Sequence, residues 1–207
     1  MAKLLLKKSY RHKDLKEIKF QNLWNSYGVF TTMRVIGKPA KILFFKDHMN
    51  NLFSSLKNYK IYYKDIKKDI LKLIRININD KIKYDHLFRV AVNKKIISVS
   101  LRKRLKPKLD FKLKLINYKR IDPEYKNLKY KKILSYLKKL DNSKSDIGLI
   151  SNKKILETGT SNLLFVKHNK IYTPTKGYYE GNTFKFVKNK IKKVIKKDIF
   201  IKDLKTY

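Results

Sequence analysis

Two polar clusters in the last third of the chain have residue types suited to holding a small anionic molecule. Glu157 is followed by a run of small polar residues that ends at Asn162. A second cluster, Glu180-Gly181-Asn182-Thr183, leads into a basic segment with a helical pattern. A polar, glycine-containing entry to a helix offers free N–H groups and a hydroxyl to a phosphate. An ordinary β-hairpin followed by a capped helix has the same local pattern, so these clusters leave both interpretations open.

A hairpin is predicted between the two clusters. The apolar run 163–166 is typical of a strand, residues 168–170 of a turn, and residues 171–173 of a return strand. Pro174 has no N–H to donate to a sheet and is expected to end the second strand.

The first half of the chain predicts a small α+β domain. The β-branched and aromatic residues 28–36 indicate its strongest strand, followed by a turn and a return strand over 41–45. Asp47 is expected to cap the next helix, and residues 1–26 have only a weak pattern. The further predicted elements are a helix over 63–74, a hairpin over 86–102 with its turn at 93–95, and a strand over 111–118.

The whole chain predicts an α+β protein in two parts. Residues 1–118 form the small domain, 119–124 a connecting loop, and 125–207 a larger β-rich domain that contains both polar clusters. Helices are expected at its beginning, with Tyr130 on an apolar face, and at its end, over Phe184 to Val194.

The composition limits the classes of function. The chain has 207 residues, no cysteine, and four histidines without the spacing of metal ligands, so no metal site is predicted. Only three consecutive leucines near the N-terminus could begin a targeting segment, which favours a cytoplasmic location. The net charge is +37, but 46 of the 53 cationic residues are lysines spread along the chain. This pattern indicates A/T-rich codons and non-specific attraction to polyanions rather than specific nucleic-acid recognition.

Several motifs resemble the class IV family of pyridoxal 5'-phosphate enzymes. Glu157, Ser161-Asn162, Thr173-Pro174 and Gly181-Asn182-Thr183 follow the family's order of acidic residue, polar run, Thr-Pro and phosphate-binding turn. Residues 30–36, FTTMRVI, are similar to the Phe-Thr-Thr-x-Arg-Val-Ile segment of 4-amino-4-deoxychorismate lyases in that family. The resemblance covers nearly the whole chain and implies the family's two-part fold.

The resemblance also implies roles for individual residues. Lys126-Asn127-Leu128-Lys129-Tyr130 looks like the segment around the family's cofactor-binding lysine, which identifies Lys126 as the catalytic residue. Such a lysine binds the cofactor covalently and moves protons. Glu157 would face the pyridine nitrogen, while Asn182 and Thr183 would bind the phosphate. Tyr130 is a further candidate for a cofactor contact, with core packing as the alternative.

Some positions depart from the family pattern. An arginine of the family's His-x-x-Arg-Leu motif is Asn51 here, and the phosphate turn continues with Phe184 instead of arginine. The loop that often carries a substrate-binding arginine is reduced to residues 93–95. The chain ends at Tyr207, so the resemblance predicts a domain shortened at the C-terminus.

The resemblance implies a PLP-dependent enzyme, expected to be a homodimer acting on a small amino substrate. We expect a 4-amino-4-deoxychorismate lyase that releases pyruvate and forms p-aminobenzoate for folate synthesis. An amino-acid aminotransferase of the same family is the alternative. A non-catalytic relative that binds polyanions is the alternative from a different class.

Overall fold

The computed structural model describes residues 4–191 and 193–207, which divide into two compact units. The first unit contains the chain up to residue 105 together with residues 126–131. The second contains residues 106–125 and 132–207. The segment that carries Lys126 lies in the second half of the sequence but belongs to the first unit. The domain boundaries expected from the sequence stay a prediction.

The first unit is a six-stranded antiparallel sheet with two helices. Its elements are β1 (Leu4–Arg11), β2 (Glu17–Ile18), β3 (Gly28–Gly37), β4 (Lys41–Ile42), α1 (Phe45–Asn58), α2 (Ile66–Asn77), β5 (Tyr84–Asn93) and β6 (Ile96–Lys103). The strands lie in the order β2-β1-β6-β5-β3-β4.

Both helices of the first unit pack on the same face of this sheet. The His48 ring of α1 hydrogen-bonds to Thr31 of β3, and Asn77 of α2 hydrogen-bonds to Tyr10 of β1. The strand register places Tyr10 and Thr31 on one face, because directly paired residues share a face and side chains alternate along each strand. Phe30 points to the opposite face.

The second unit has two smaller sheets. One has the order β13-β9-β8-β7, in which β7 and β8 are parallel, and the other has the order β10-β11-β12, in which β11 and β12 are parallel. The elements are β7 (Lys112–Asn117), α3 (Lys131–Leu137), β8 (Ser145–Ser151), β9 (Lys154–Thr158), β10 (Phe165–Lys167), β11 (Lys170–Thr173), α4 (Asn182–Lys190), β12 (Val194–Lys196), β13 (Ile199–Phe200) and a 3₁₀ segment (Ile201–Thr206).

The predicted α+β class is confirmed, as are the strand at β3 and the hairpins β5–β6 and β10–β11. His168 and Asn169 form the turn of the second hairpin, each with a positive φ. Among the described residues, no helix has the length and apolar content needed to cross a bilayer.

β1 lies within residues 1–26, where the sequence has only a weak pattern, because its consecutive leucines and adjacent lysines hide the period of two. Three local predictions were wrong. Asp47 lies inside the first turn of α1, whose N-cap is Phe44 in the left-handed conformation. Tyr130 precedes α3 instead of lying on its apolar face. Val194 belongs to β12, because the chain leaves the helical conformation at Ile191 and then pairs with β11.

Candidate active site

The Lys126 segment is fixed against the beginning of β3. The Phe30 N–H donates to the Lys126 carbonyl at 2.8 Å, and the Leu128 N–H donates to the Gly28 carbonyl at 2.9 Å. Gly28 permits this close approach, since a Cβ at that position would lie 2.3 Å from the Val92 carbonyl oxygen and 2.7 Å from Leu128 Cδ1. The main chain of Lys126 is thus held by a strand of the first unit rather than by a mobile loop.

Three aromatic rings form a wall beside Lys126. Trp24 contacts Phe30 at a ring-centroid distance of 4.9 Å and Tyr130 at 5.8 Å, and the Phe30 and Tyr130 centroids are 5.7 Å apart. The Lys126 Nζ lies 5.6 Å from the Phe30 centroid. This cluster, Trp24-Phe30-Tyr130, is called the aromatic wall below. Tyr130 is partly buried and packs against the core of the first unit, which is the alternative that the sequence left open beside a cofactor contact.

Two arginines lie on the same sheet face as Phe30. Arg89 of β5 pairs with Thr32, and Arg102 of β6 pairs with Leu87, so both side chains project from the face that α1 and α2 leave uncovered. The Arg89 guanidinium carbon, Cζ, lies 4.4 Å from the centroid of the Trp24 ring. Its Nη2 donates a hydrogen bond to the Asn22 carbonyl at 3.1 Å. Its Nε is buried without a hydrogen-bond partner among the described residues.

Burial lowers the pKa of both arginines. Burial, followed by the charge of Arg102, lowers the pKa of Arg89 to about 10. Burial also lowers the pKa of Arg102. No carboxylate among the described residues forms an ion pair with Arg89 or Arg102. Guanidiniums in such a position are suited to receive a carboxylate from a ligand.

His48 lies close enough to Lys126 to sense its charge. The Thr31 hydroxyl and His48 Nδ1 are 2.8 Å apart. Burial, then the positive charge of Lys126, lowers the pKa of His48 to about 4, against a smaller opposing effect of Asp47. His48 is therefore neutral at pH 7 and adds no positive charge next to Lys126.

Glu157 is buried in the second unit and paired with Arg120. The Arg120 Nε donates to Glu157 Oε1 at 2.6 Å, and Nη2 donates to Oε2 at 3.4 Å. Their side chains are only 4% and 7% exposed, respectively. The Tyr179 N–H also donates to Oε2 at 3.3 Å. These charge-assisted bonds favour the ionised carboxylate and fix its position.

The turn after Glu157 is organised by a buried carboxylate. Asp146 Oδ2 accepts hydrogen bonds from the Thr158 hydroxyl at 2.7 Å and the Thr160 hydroxyl at 2.6 Å. A Cβ on Gly159 would lie 2.8 Å from Asp146 Oδ1, so the turn passes very close to this side chain. Two of the small polar residues after Glu157 are therefore hydrogen-bond partners of Asp146 with a structural role.

Asn162 links this turn to the entry of α4. Its Nδ2 donates to the Tyr179 carbonyl at 2.6 Å, and its Oδ1 accepts from the Gly181 N–H at 3.0 Å. Gly181 is the N-cap of α4 and has no side chain with which to cap the helix. Asn182 is buried and Thr183 is exposed in the first turn. The structure thus brings Glu157 and the 179–183 segment together in one unit and leaves a helix N-terminus suited to an anion.

The sequence reasoning missed Arg120, Arg89 and Arg102. A signal existed, since arginine is rare in this chain, with only 7 residues beside 46 lysines. Arginine supplies a rigid fork of donors that lysine cannot replace. Arg120 also stands in the predicted connecting loop, where an isolated arginine indicates a specific carboxylate partner.

The chain matches the family model for class IV amino-transferases over residues 28–207. Among solved structures, the branched-chain aminotransferase of Thermoproteus uzoniensis with norvaline has 16% identity and a TM-score of 0.73, with 95% of this chain and 80% of that chain covered. The branched-chain amino acid aminotransferase of Thermobaculum terrenum, in a mutant form, has 16% identity and a TM-score of 0.70, with 95% and 77% covered.

A proposed 4-amino-4-deoxychorismate lyase from Haemophilus somnus 129PT has 21% identity and a TM-score of 0.62, with 89% and 93% covered. No curated protein sequence matches the chain. The fold is of the mixed α+β type seen in these structures. The chain belongs to the class IV aminotransferase family, which confirms the resemblance found in the motifs.

Proposed function

We propose that this enzyme is a lyase that releases pyruvate from 4-amino-4-deoxychorismate and forms p-aminobenzoate. The observation that carries the proposal is the pair Arg89 and Arg102, which lie partly buried on the face of the aromatic wall and pair with no carboxylate among the described residues. The proposed substrate is an unsaturated ring with two carboxylates, so it matches two guanidiniums beside aromatic rings. The FTTMRVI segment on β3 supports the same choice.

The cofactor is pyridoxal phosphate, and the chain's own residues fit it. Lys126 supplies an amine beside the aromatic wall, Glu157 a buried carboxylate, and α4 a helix N-terminus without a side-chain cap. When bound, the cofactor acts as an electron sink for the substrate's α-carbon. These groups are suited to the aldehyde, the pyridine nitrogen and the phosphate of the cofactor, respectively.

Each residue has a defined task in this proposal. Lys126 holds the cofactor and then takes the proton from the substrate's α-carbon. Glu157, kept ionised by Arg120, accepts a hydrogen bond from the protonated pyridine nitrogen. Asn182 and Thr183 bind the phosphate through backbone N–H groups and the Thr183 hydroxyl.

Tyr130 packs in the aromatic wall beside Lys126 and would contact the cofactor there. Neutral His48 limits the positive charge beside Lys126, which favours a lysine that can accept a proton.

An amino-acid aminotransferase is the second candidate. The aromatic wall supports it, because such a surface also suits the apolar side chain of a branched-chain substrate. In that case Lys126 would return the proton to the cofactor, and an oxo acid would be required to accept the amino group. With either function, we propose that the protein is a homodimer located in the cytoplasm.

The test uses the full chain saturated with pyridoxal phosphate. Incubation with 4-amino-4-deoxychorismate should release pyruvate without an added oxo acid. Arg102→Gln should lower kcat/KM by about 10- to 100-fold, because one charged contact to substrate is lost. Arg75→Gln, an exposed arginine on α2, is the matched control and should leave kcat/KM unchanged.

Turnover that depends on 2-oxoglutarate together with a branched-chain or D-amino acid would replace the lyase with the aminotransferase. Equal effects of Arg102→Gln and Arg75→Gln would remove the guanidinium pair from the substrate site.

A further inference from the structure

The first unit contains a cleft that takes no part in the proposed chemistry. Its volume is about 860 Å³, within the range of small-molecule sites. It is bordered by residues 12–15 between β1 and β2, residues 60–65 between α1 and α2, the first half of α2, and the β5–β6 turn. All of these segments belong to the first unit.

The cleft concentrates positive charge. Six lysines line it: Lys13, Lys60, Lys64, Lys68, Lys72 and Lys94. Three carboxylates also line it: Asp14, Asp65 and Asp69. Asp14 already forms an ion pair at 2.5 Å with Arg11, which does not line the cleft. The ammonium groups repel each other, and the concave surface concentrates their positive electrostatic potential. A bound anion would therefore relieve the repulsion. Asp65 and Asp69 are too few to balance the lysines.

Aromatic rings also line the cleft. Tyr62 lines the cleft and is 69% exposed, which leaves a ring face for stacking. The His12 and Tyr63 rings are in contact at a centroid distance of 4.5 Å. His12 Nε2 is buried and has no hydrogen-bond partner among the described residues.

The N-terminus of α2 opens at the same place. The helix begins at Ile66, and its N-cap Asp65 makes no side-chain hydrogen bond to the first turn. Lys68 and Lys72 follow on the cleft side of the helix, since both line the cavity. Backbone amides and ammonium groups therefore lie beside an exposed aromatic ring, the combination that recognises phosphates attached to a stacking base.

We propose that this cleft binds a nucleoside polyphosphate. The phosphates contact the lysines around the N-terminus of α2, and the base stacks on Tyr62. The assignment is independent of the proposed lyase activity, because the cleft contains none of the residues placed in that site. It differs from bulk attraction to the +37 chain by its dependence on these particular side chains.

The test measures binding of ATP to the full chain after saturation with pyridoxal phosphate, by calorimetry in about 0.15 M salt without magnesium. Lys64→Gln/Lys68→Gln should weaken ATP binding by about tenfold or more, because two direct contacts are lost. The matched control is Lys19→Gln/Lys83→Gln, which removes two exposed lysines of the same unit outside the cleft. It should change ATP affinity by less than about twofold if the contacts are local.

Two further comparisons examine the base. Inorganic triphosphate should bind about tenfold more weakly than ATP, since it lacks a stacking ring. Tyr62→Ala should remove most of that difference and leave triphosphate binding unchanged. In the absence of ligand, the Lys64→Gln/Lys68→Gln protein should have a higher Tm, because crowded charges are removed.

Equal weakening by the two double variants would overturn the proposal and show bulk polyanion binding. Equal affinity for ATP and triphosphate would overturn the nucleoside part. Much tighter binding of a single-stranded oligonucleotide, weakened by the same cleft variants, would replace the nucleotide with a nucleic acid.

Discussion

The buried pair of Arg120 and Glu157 allows a test at the scale of single residues. Glu157→Gln should lower turnover roughly 10²–10³-fold, because the pyridine nitrogen loses its charged partner. It should also destabilise the fold by about 3–5 kcal/mol, since the Arg120 charge is left buried without a carboxylate. Steady-state rates and urea unfolding of the purified variants measure the two effects separately.

A double variant separates the catalytic effect from the structural one. Arg120→Gln/Glu157→Gln removes both charges and permits a neutral hydrogen bond between the two amides. Stability should therefore recover relative to Glu157→Gln, while turnover stays low. Recovery of turnover together with stability would show that Glu157 acts only by supporting the fold.

His48 provides a second test, through pH. Its pKa falls from 6.5 in the unfolded chain to about 4 in the folded protein. The unfolded state therefore binds more protons between these values, and stability should fall as the pH is lowered from about 6.5 to about 4. His48→Gln should reduce this loss while leaving stability at pH 8 within about 1 kcal/mol, provided that the amide replaces the bond to Thr31.

His168→Gln, which changes an exposed ring, is the control and should retain the wild-type pH dependence. An identical acid-induced loss of stability in the His48→Gln protein would contradict the buried neutral imidazole.

At the scale of elements, Gly28 decides whether the Lys126 segment can dock on β3. Gly28→Ala should destabilise the protein by about 1–3 kcal/mol, because its Cβ overlaps the Val92 carbonyl and Leu128. Amide exchange at Leu128 should become faster, since this N–H donates to the Gly28 carbonyl. Urea unfolding and hydrogen exchange give the two measurements.

Combining Gly28→Ala with Leu128→Ala distinguishes the two overlaps. The smaller side chain removes one overlap but leaves the contact with the Val92 backbone, so Gly28→Ala should cost less stability in the Leu128→Ala protein than in wild type, without becoming neutral. A Gly28→Ala protein within about 0.5 kcal/mol of wild type would contradict the close packing.

Local signals decide which elements the sequence can predict. β3 and the β5–β6 hairpin were predictable because β-branched residues and an Asn-Lys-Lys turn mark them clearly. The end of α4 was not, because Val187, Ile191 and Val194 continue a helical spacing past the true end. Pairing of β12 with β11 is a tertiary effect that overrides this local pattern.

The candidate site was predictable where a motif is continuous in sequence and not where it depends on pairing between strands. Lys126 and Glu157 were selected as candidates from their flanking residues. Arg89 and Arg102 share a face only through the β5–β6 register, and Arg120 reaches Glu157 across 37 positions of sequence. Side chains brought together by folding alone leave little trace in a single sequence.

At the scale of the whole molecule, the charge imbalance should govern the response to salt. The chain has 53 cationic and 16 anionic residues, so repulsion between like charges exceeds the attraction within its exposed ion pairs. Salt screens exposed charges over a Debye length of about 10 Å at 0.1 M. The Tm should therefore rise as sodium chloride is increased from about 0.05 M to about 0.5 M.

Differential scanning calorimetry at fixed pH measures this shift. A Tm that falls with added salt would show that specific ion pairs outweigh the general repulsion.

The central claim is that Lys126 carries the cofactor of a class IV enzyme. The most direct measurement is reduction of the pyridoxal phosphate-loaded protein with borohydride, followed by peptide mapping, which fixes the cofactor on the lysine that holds it. One labelled peptide is expected, with the label on Lys126, and no specific label in Lys126→Ala. Lys129→Ala, three residues away, should label normally. A label on another lysine, or a label scattered over many of the 46 lysines without preference for Lys126, would contradict the role of Lys126.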